Sequence, residues 1–178
     1  MAIRDSRLFR CFVLGAMLGA SPGSHATEFC ATNAQELQAH LATASTNGQH
    51  DVIRVAAGTY SGNFIYDPAS SPSGDASNLT LIGGWTRLFD FDCSVVPTPE
   101  PLRTVLDGGG NGRTLTVNGK AGARIEIRNF TFTGGDMTAN EDENGAGLMI
   151  RGPGSTTPLD RVTLENNLFI DNVDYSSP

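Results

Sequence analysis

The sequence predicts an all-β protein wound as a parallel β-helix, with one short α-helix capping its start, and three observations predict it. The first is an internal repeat: Ile125-Glu126-Ile127-Arg128-Asn129-Phe130-Thr131-Phe132 aligns with Val162-Thr163-Leu164-Glu165-Asn166-Asn167-Leu168-Phe169. From 125 to 162 and from 132 to 169 the offset is a constant 37 residues, and it pairs Asn129 with Asn166 and Phe132 with Phe169. A strand that alternates apolar and polar residues, bends at an Asn and resumes as a second strand is what one coil of a solenoid needs. The second is a density of three- to five-residue strands punctuated by Gly and Asn. The third is the presence of one helical pattern only, which argues against an alternating βα fold.

Residues 1–26 stand apart from the fold. Arg4, Arg7 and Arg10 precede an apolar run over residues 11–20, and Ser24-His25-Ala26 places small residues where a signal peptidase cuts. This predicts a secretory signal peptide cleaved after Ala26. The run is too short to span a bilayer, which takes about 20 apolar residues, and no later segment is apolar enough. The mature domain is expected over 27–178, exported to the periplasm, the cell surface or the medium.

Losing three Arg and one Asp with the signal moves the formal charge from −7 to −9. Such an acidic surface, without a basic cluster, excludes nucleic acid and anionic membranes as partners. Two cysteines then remain, Cys30 and Cys93. In an oxidising compartment an even pair is most simply a disulfide, contributing about 4 kcal/mol in the chain-entropy account. A metal site would need further Cys or His at ligand spacing; His40 and His50, in polar surroundings, read as surface residues.

The elements follow in order. A helical cap is expected over about 32–45, where Thr32 and Gln35 have capping-box spacing and Ala34, Leu37, Leu41 and Ala44 share one face. It would cover the apolar end and unpaired strand edges of the first coil. Asn47-Gly48 marks a turn. Coils are expected over about 51–172. Asp51-Val52-Ile53-Arg54-Val55 reads as a strand, and Asn63-Phe64-Ile65-Tyr66 as a second. Residues 67–78, rich in Pro, Ser, Gly and Asp, read as a loop. Leu79-Thr80-Leu81-Ile82-Gly83-Gly84-Trp85 restores the strand, and residues 95–101, with three Pro, leave the sheet again. Thr104-Val105-Leu106-Asp107, Thr114-Leu115-Thr116-Val117 and the two repeat segments complete the strands.

The segment Ala57-Gly58-Thr59-Tyr60, the run Leu81-Ile82-Gly83-Gly84-Trp85, the run Thr104-Val105-Leu106-Asp107-Gly108 and the strands that bend at Asn resemble the N-terminal part of secreted bacterial right-handed parallel β-helix proteins of the pectate-lyase-like superfamily. Gly145-Ala146-Gly147-Leu148 and Phe169-Ile170-Asp171-Asn172 are similar to the paired GGA and F-x-x-N repeats of polymorphic outer-membrane-protein β-helices, with Ala146 departing from the first motif. The resemblance spans most of residues 28–172. It implies architecture and handedness; the relatives it points to include lyases, hydrolases, adhesins and autotransporter passengers. Proteins of this kind usually stack more than the three to four coils counted here, so the sequence resembles a truncated frame, a fragment or a short paralogue, with an exposed last coil that favours association.

Asp136, Glu141, Asp142 and Glu143 are the candidate Ca²⁺ ligands, since converging carboxylates bind this cation. Their spacing fits no defined ligand loop, and a solvated acidic loop is the favoured expectation. No cofactor is required; Ca²⁺ is the one the sequence suggests. Asp107, Asp160 and Asp171 lie at strand ends where a hydrolase of the superfamily would hold paired acids, although Asp beside Gly or Asn is more often turn chemistry. Arg124, Arg128, Arg151 and Arg161 are available as a lyase base but match no lyase motif. Trp85, Tyr60 and Tyr66 are aromatic enough to stack on sugar rings, and more often such residues pack. Asn129 and Asn166 read as ladder residues whose amides bond the bend. The first expectation is therefore a non-enzymatic surface module or passenger-type stalk that binds glycans or surface proteins; the alternative is a polysaccharide lyase or glycoside hydrolase, or the N-terminal part of one.

Overall fold

A computed structural model describes residues 26–68, 77–86, 93, 98–138, 145–154 and 158–174. These carry one α-helix and a series of short parallel strands. In chain order they are β1 (Thr27–Ala31), α1 (Ala34–Asn47), β2 (Asp51–Ala56), β3 (Gly58–Ser61), β4 (Phe64–Tyr66) and β5 (Leu79–Trp85). A 3-10 turn at Pro101–Arg103 leads into β6 (Thr104–Asp107), followed by β7 (Leu115–Asn118), β8 (Arg124–Arg128), β9 (Thr131–Thr133), β10 (Leu148–Arg151), β11 (Arg161–Glu165) and β12 (Leu168–Phe169).

The helix forms because its apolar residues recur at helical spacing and both ends are closed. Leu37, Leu41 and Ala44 are fully buried. The capping box sits one residue later than Thr32 and Gln35 suggested: Asn33 is the N-cap and accepts from the Glu36 amide at 2.9 Å. Glu36 in turn accepts from the Thr32 amide at 2.8 Å and its hydroxyl at 2.7 Å. Those two bonds hold the Glu36 carboxyl below its ordinary range. Gly48, at φ 68°, ends the helix in the left-handed region that favours glycine.

The strands distribute into three sheets, ordered β1-β2-β5-β8-β11, β10-β7-β4 and β12-β9-β6-β3, and every strand pair is parallel. Successive trios of strands thus lie one over another: β2-β3-β4, then β5-β6-β7, then β8-β9-β10, with β11-β12 on top. Each repeat segment bends at its Asn and resumes as a second strand, as expected, giving β8 and β9 in one layer and β11 and β12 in the next. The register follows the repeat, with Ile125 on Val162, Ile127 on Leu164 and Phe132 on Phe169. Asn129 and Asn166 sit at the two bends with φ of 64° and 52°. The Asn166 amide donates to Asn129 Oδ1 at 2.9 Å, which locks one bend over the other. Gly58–Ser61 forms a further paired strand, and Asn63, expected at the start of the next strand, lies outside β4.

The core runs between the sheets. Ile53, Val55, Leu79, Leu81, Ile125 and Ile127 come from the first sheet, Tyr60, Leu106 and Phe132 from the second, and Phe64, Tyr66, Leu115 and Val117 from the third. Alternation supplies this, because every second strand residue faces inward. Layers approach closely where a side chain would intrude: a Cβ on Gly135 would collide with the Ala146 carbonyl, and one on Gly147 would meet the Asn172 amide at 3.0 Å.

Cys30 and Cys93 form a disulfide with Cα atoms 5.6 Å apart across a separation of 63 residues. It ties β1, the first edge of the five-stranded sheet, to the segment beyond β5. Among the described residues no helix is long and apolar enough to cross a membrane. The expected signal peptide, most of the loop at 67–78 and much of the excursion at 95–101 lie outside the described residues.

Candidate functional site

The expected acidic cluster is represented by Asp136 alone, because Glu141, Asp142 and Glu143 lie outside the described residues. Asp136 Oδ1 accepts from the Thr138 amide at 2.9 Å and its hydroxyl at 2.7 Å. Those bonds lower its carboxyl pKa and make it a turn-closing group. Among the described residues no three His, Cys, Asp or Glu side chains are grouped to hold a metal ion.

The strand-end acids are not brought together. Asp107 ends β6 and accepts from the Gly109 amide at 2.9 Å. Asp171 follows β12, two layers above β6 in the same sheet, and has φ 52°. Asp160 precedes β11 in the five-stranded sheet and pairs with Arg124 at 2.5 Å. That hydrogen bond and the guanidinium charge lower the Asp160 carboxyl. The Asp107 carboxylate answers its local backbone and that of Asp160 a neighbouring layer, while Asp171 accepts from the Gly134 amide through its backbone carbonyl at 3.2 Å.

Tyr60 and Tyr66 are packing residues, 1% and 0% exposed. The Tyr60 hydroxyl donates to the carbonyls of Ala56 at 2.9 Å and Ala31 at 3.1 Å, and that of Tyr66 donates to the Ser77 carbonyl at 3.1 Å. Burial raises the Tyr66 phenol well above its ordinary value, with the nearby Asp51 charge adding to it. His40, expected at the surface, is half-buried: its ring stacks on Phe29 with centroids 4.9 Å apart, and Nε2 lies 3.1 Å from the Cys30 carbonyl. His50 is exposed beside Asn78.

What the fold does assemble is the outward face of the five-stranded sheet. Strand register places Glu28, Val52, Thr80, Glu126 and Thr163 in one row across the sheet, and Cys30, Arg54, Ile82, Arg128 and Glu165 in the next. Arg54 pairs with Glu28 at 2.7 Å. The same guanidinium lies over the Trp85 ring, 4.6 Å from its centroid, a cation-π contact that orients both groups. Arg128 Nε lies 3.0 Å from Glu126, an ion pair without hydrogen-bond alignment, and its Nη1 lies 3.8 Å from Glu165.

Beside this row Ile82, Pro99, Arg128, Asn129 and Glu165 line a cleft of about 230 Å³. It is smaller than the enclosed 300–1,000 Å³ of ordinary small-molecule sites. The face is thus a shallow platform of fixed, alternating charges with one half-exposed indole. Arg124 and Arg161 extend it at the strand starts; Arg151 is on β10, in another sheet.

Sequence reasoning did not find this face. Apart from Glu126–Arg128 within β8, its ion pairs join residues on different layers, such as Glu28 with Arg54, and the signal available was only that each occupies an outward position of its strand. No family model matches the chain, and no curated protein or solved structure matches it.

Proposed function

We propose that the chain is a right-handed parallel β-helix module of an exported protein, acting without catalysis as a surface that binds glycans or surface proteins. The observation that carries this reading is the outward face of the five-stranded sheet. Arg54, Trp85, Arg128 and their carboxylate partners are held in place before any ligand arrives, and such preorganisation lowers the ordering cost of binding. A ring can stack against the accessible part of the half-buried indole, while guanidinium and carboxylate groups bond its hydroxyls. The disulfide supports export, since such bonds persist in oxidising compartments. The layered parallel strands and the Asn bends support the β-helix assignment.

The test is a binding screen of the purified chain against neutral and acidic polysaccharides and cell-envelope fractions, repeated with Arg54→Ala/Arg128→Ala. The proposal expects at least one ligand, bound at least about tenfold more weakly by the double variant, as loss of roughly 1.4 kcal/mol would give. A folded chain that binds none, or a double variant that binds equally well, overturns it.

A further inference from the structure

The two ends of the stack are unlike. At the first, α1 covers β4: the Gln38 side chain accepts from the Ile65 amide at 3.0 Å and donates to its carbonyl at 3.1 Å, as a neighbouring strand would. At the other, β11 has β8 on one side and, among the described residues, nothing on the other. Its inward residues Val162 and Leu164 are 44% and 48% exposed, though the residues they sit on, Ile125 and Ile127, are buried.

The backbone of that edge has a definite polarity. Glu165 accepts from the Asn129 amide at 3.2 Å, so its peptide group points to the layer below. Hydrogen-bonding groups alternate along a paired strand. Arg161 and Thr163 therefore point the same way as Glu165, and the N–H and C=O groups of Val162 and Leu164 face the open edge.

The strand reads Arg161-Val162-Thr163-Leu164-Glu165, and this order is self-complementary when reversed. Antiparallel pairing about Thr163 sets Val162 of one copy opposite Leu164 of the second copy as a hydrogen-bonded pair. It also sets Arg161 opposite Glu165 of the second copy, twice, on the outward face. Parity is correct throughout: apolar meets apolar on the inner side, and opposite charges meet on the outer side.

We propose that β11 is the interface of a two-fold symmetric dimer, in which a second copy of this chain adds its own β11 antiparallel to the exposed edge. The two-fold axis passes at Thr163, so one surface serves both partners. Four backbone hydrogen bonds close the edge, and Val162 and Leu164 of both copies lose their exposure to water. Head-to-tail growth at the third sheet is blocked, because Gln38 already occupies the corresponding edge of β4. The dimer shares Arg161 and Glu165 with the sheet face but rests on the strand edge, not on any ligand bound to that face.

A charge-swap experiment tests it, read by sedimentation equilibrium. The wild-type chain dimerises. Glu165→Arg and Arg161→Glu each bring two like-charge pairs across the axis and weaken self-association at least about tenfold. Mixing the two single variants restores both ion pairs and yields a heterodimer with affinity near that of wild type. Circular dichroism of each variant confirms that the fold is kept. A wild-type chain that stays monomeric at every soluble concentration, single variants that dimerise as well as wild type, or folded single variants that fail to associate on mixing would each overturn the proposal.

Discussion

Phe132 and Phe169 occupy equivalent positions one layer apart, their rings stacked 4.9 Å between centroids, yet one is fully buried and the other is 47% exposed. The same holds for Ile127 beneath Leu164. Identical pattern in the chain therefore yields core or surface according to whether another layer lies above. At the helical end, α1 supplies that layer with side chains from a different kind of element. The lesson is that burial in this molecule is a property of stacking, and each layer is stabilised mainly by its neighbours.

Five variants and one pH measurement can break or sharpen that contrast. The largest effect is expected at Phe132→Ala, which leaves a cavity among Phe130, Phe169 and the rest of the core and costs about 3–5 kcal/mol. Phe169→Ala should cost less than half as much by the same denaturant titration, and equal costs would deny the difference between layers.

Replacing both Cys30 and Cys93 by Ser frees β1 from the segment beyond β5. Unfolding free energy should fall by about 2–4 kcal/mol, and under reducing conditions the wild-type chain should match the variant.

Gln38→Ala removes two bonds from the β4 edge, one donated and one accepted, and is expected to cost about 1–2 kcal/mol. The amide of Ile65 should then exchange faster with solvent, whereas unchanged exchange would mean that the helix covers this edge without the side chain. Asn33→Ala deletes the N-cap and should lower thermal stability by about 1 kcal/mol.

The pH dependence turns on Asp51, which is buried, with Oδ1 accepting from Asn47 at 2.8 Å and Oδ2 without a partner among the described residues. Burial raises its carboxyl above the ordinary value, opposed by the Asn47 bond and by His50. The folded state therefore holds the proton more tightly, so the contribution of Asp51 falls as pH rises from the ordinary carboxylate value through the folded one. Glu36, Asp136 and Asp160, whose carboxyls are lowered, have the opposite sign and lose their contribution on acidification. Thermal unfolding of Asp51→Asn against wild type isolates the first term: the variant should gain relative stability with rising pH, and parallel curves would show that Asp51 does not titrate across this range.

Much of the scaffold was legible in the sequence because alternation and offset are local signals. The repeat fixes which residues of β8 lie under which residues of β11, and the Asn bends announce where each strand turns. The disulfide followed from having two cysteines beyond the expected signal. The lateral contacts were not legible. Asn167 accepts from the Phe130 amide at 3.1 Å and donates to the Ile127 carbonyl at 2.8 Å. Asn172 accepts from the Gly135 amide at 3.0 Å and donates to the Phe132 carbonyl at 2.8 Å. Their counterparts one repeat earlier are Phe130 and Gly135, so no recurring residue advertised these bonds. Gln38 was equally hidden, because a polar residue on a helix gives no sign that its amide will complete a strand edge. The platform of Arg54, Trp85 and Arg128 required knowing which layers are adjacent, which composition does not reveal.

Hydrogen exchange on the Glu165→Arg chain, held as a monomer, tests the layered account most directly. Protection should be highest in β5 and β8, lower in β12, and lowest at the Val162 and Leu164 amides, which face the open edge. If those two amides exchanged as slowly as the amides of β8 in the monomer, burial would not be supplied layer by layer, and the account would be contradicted.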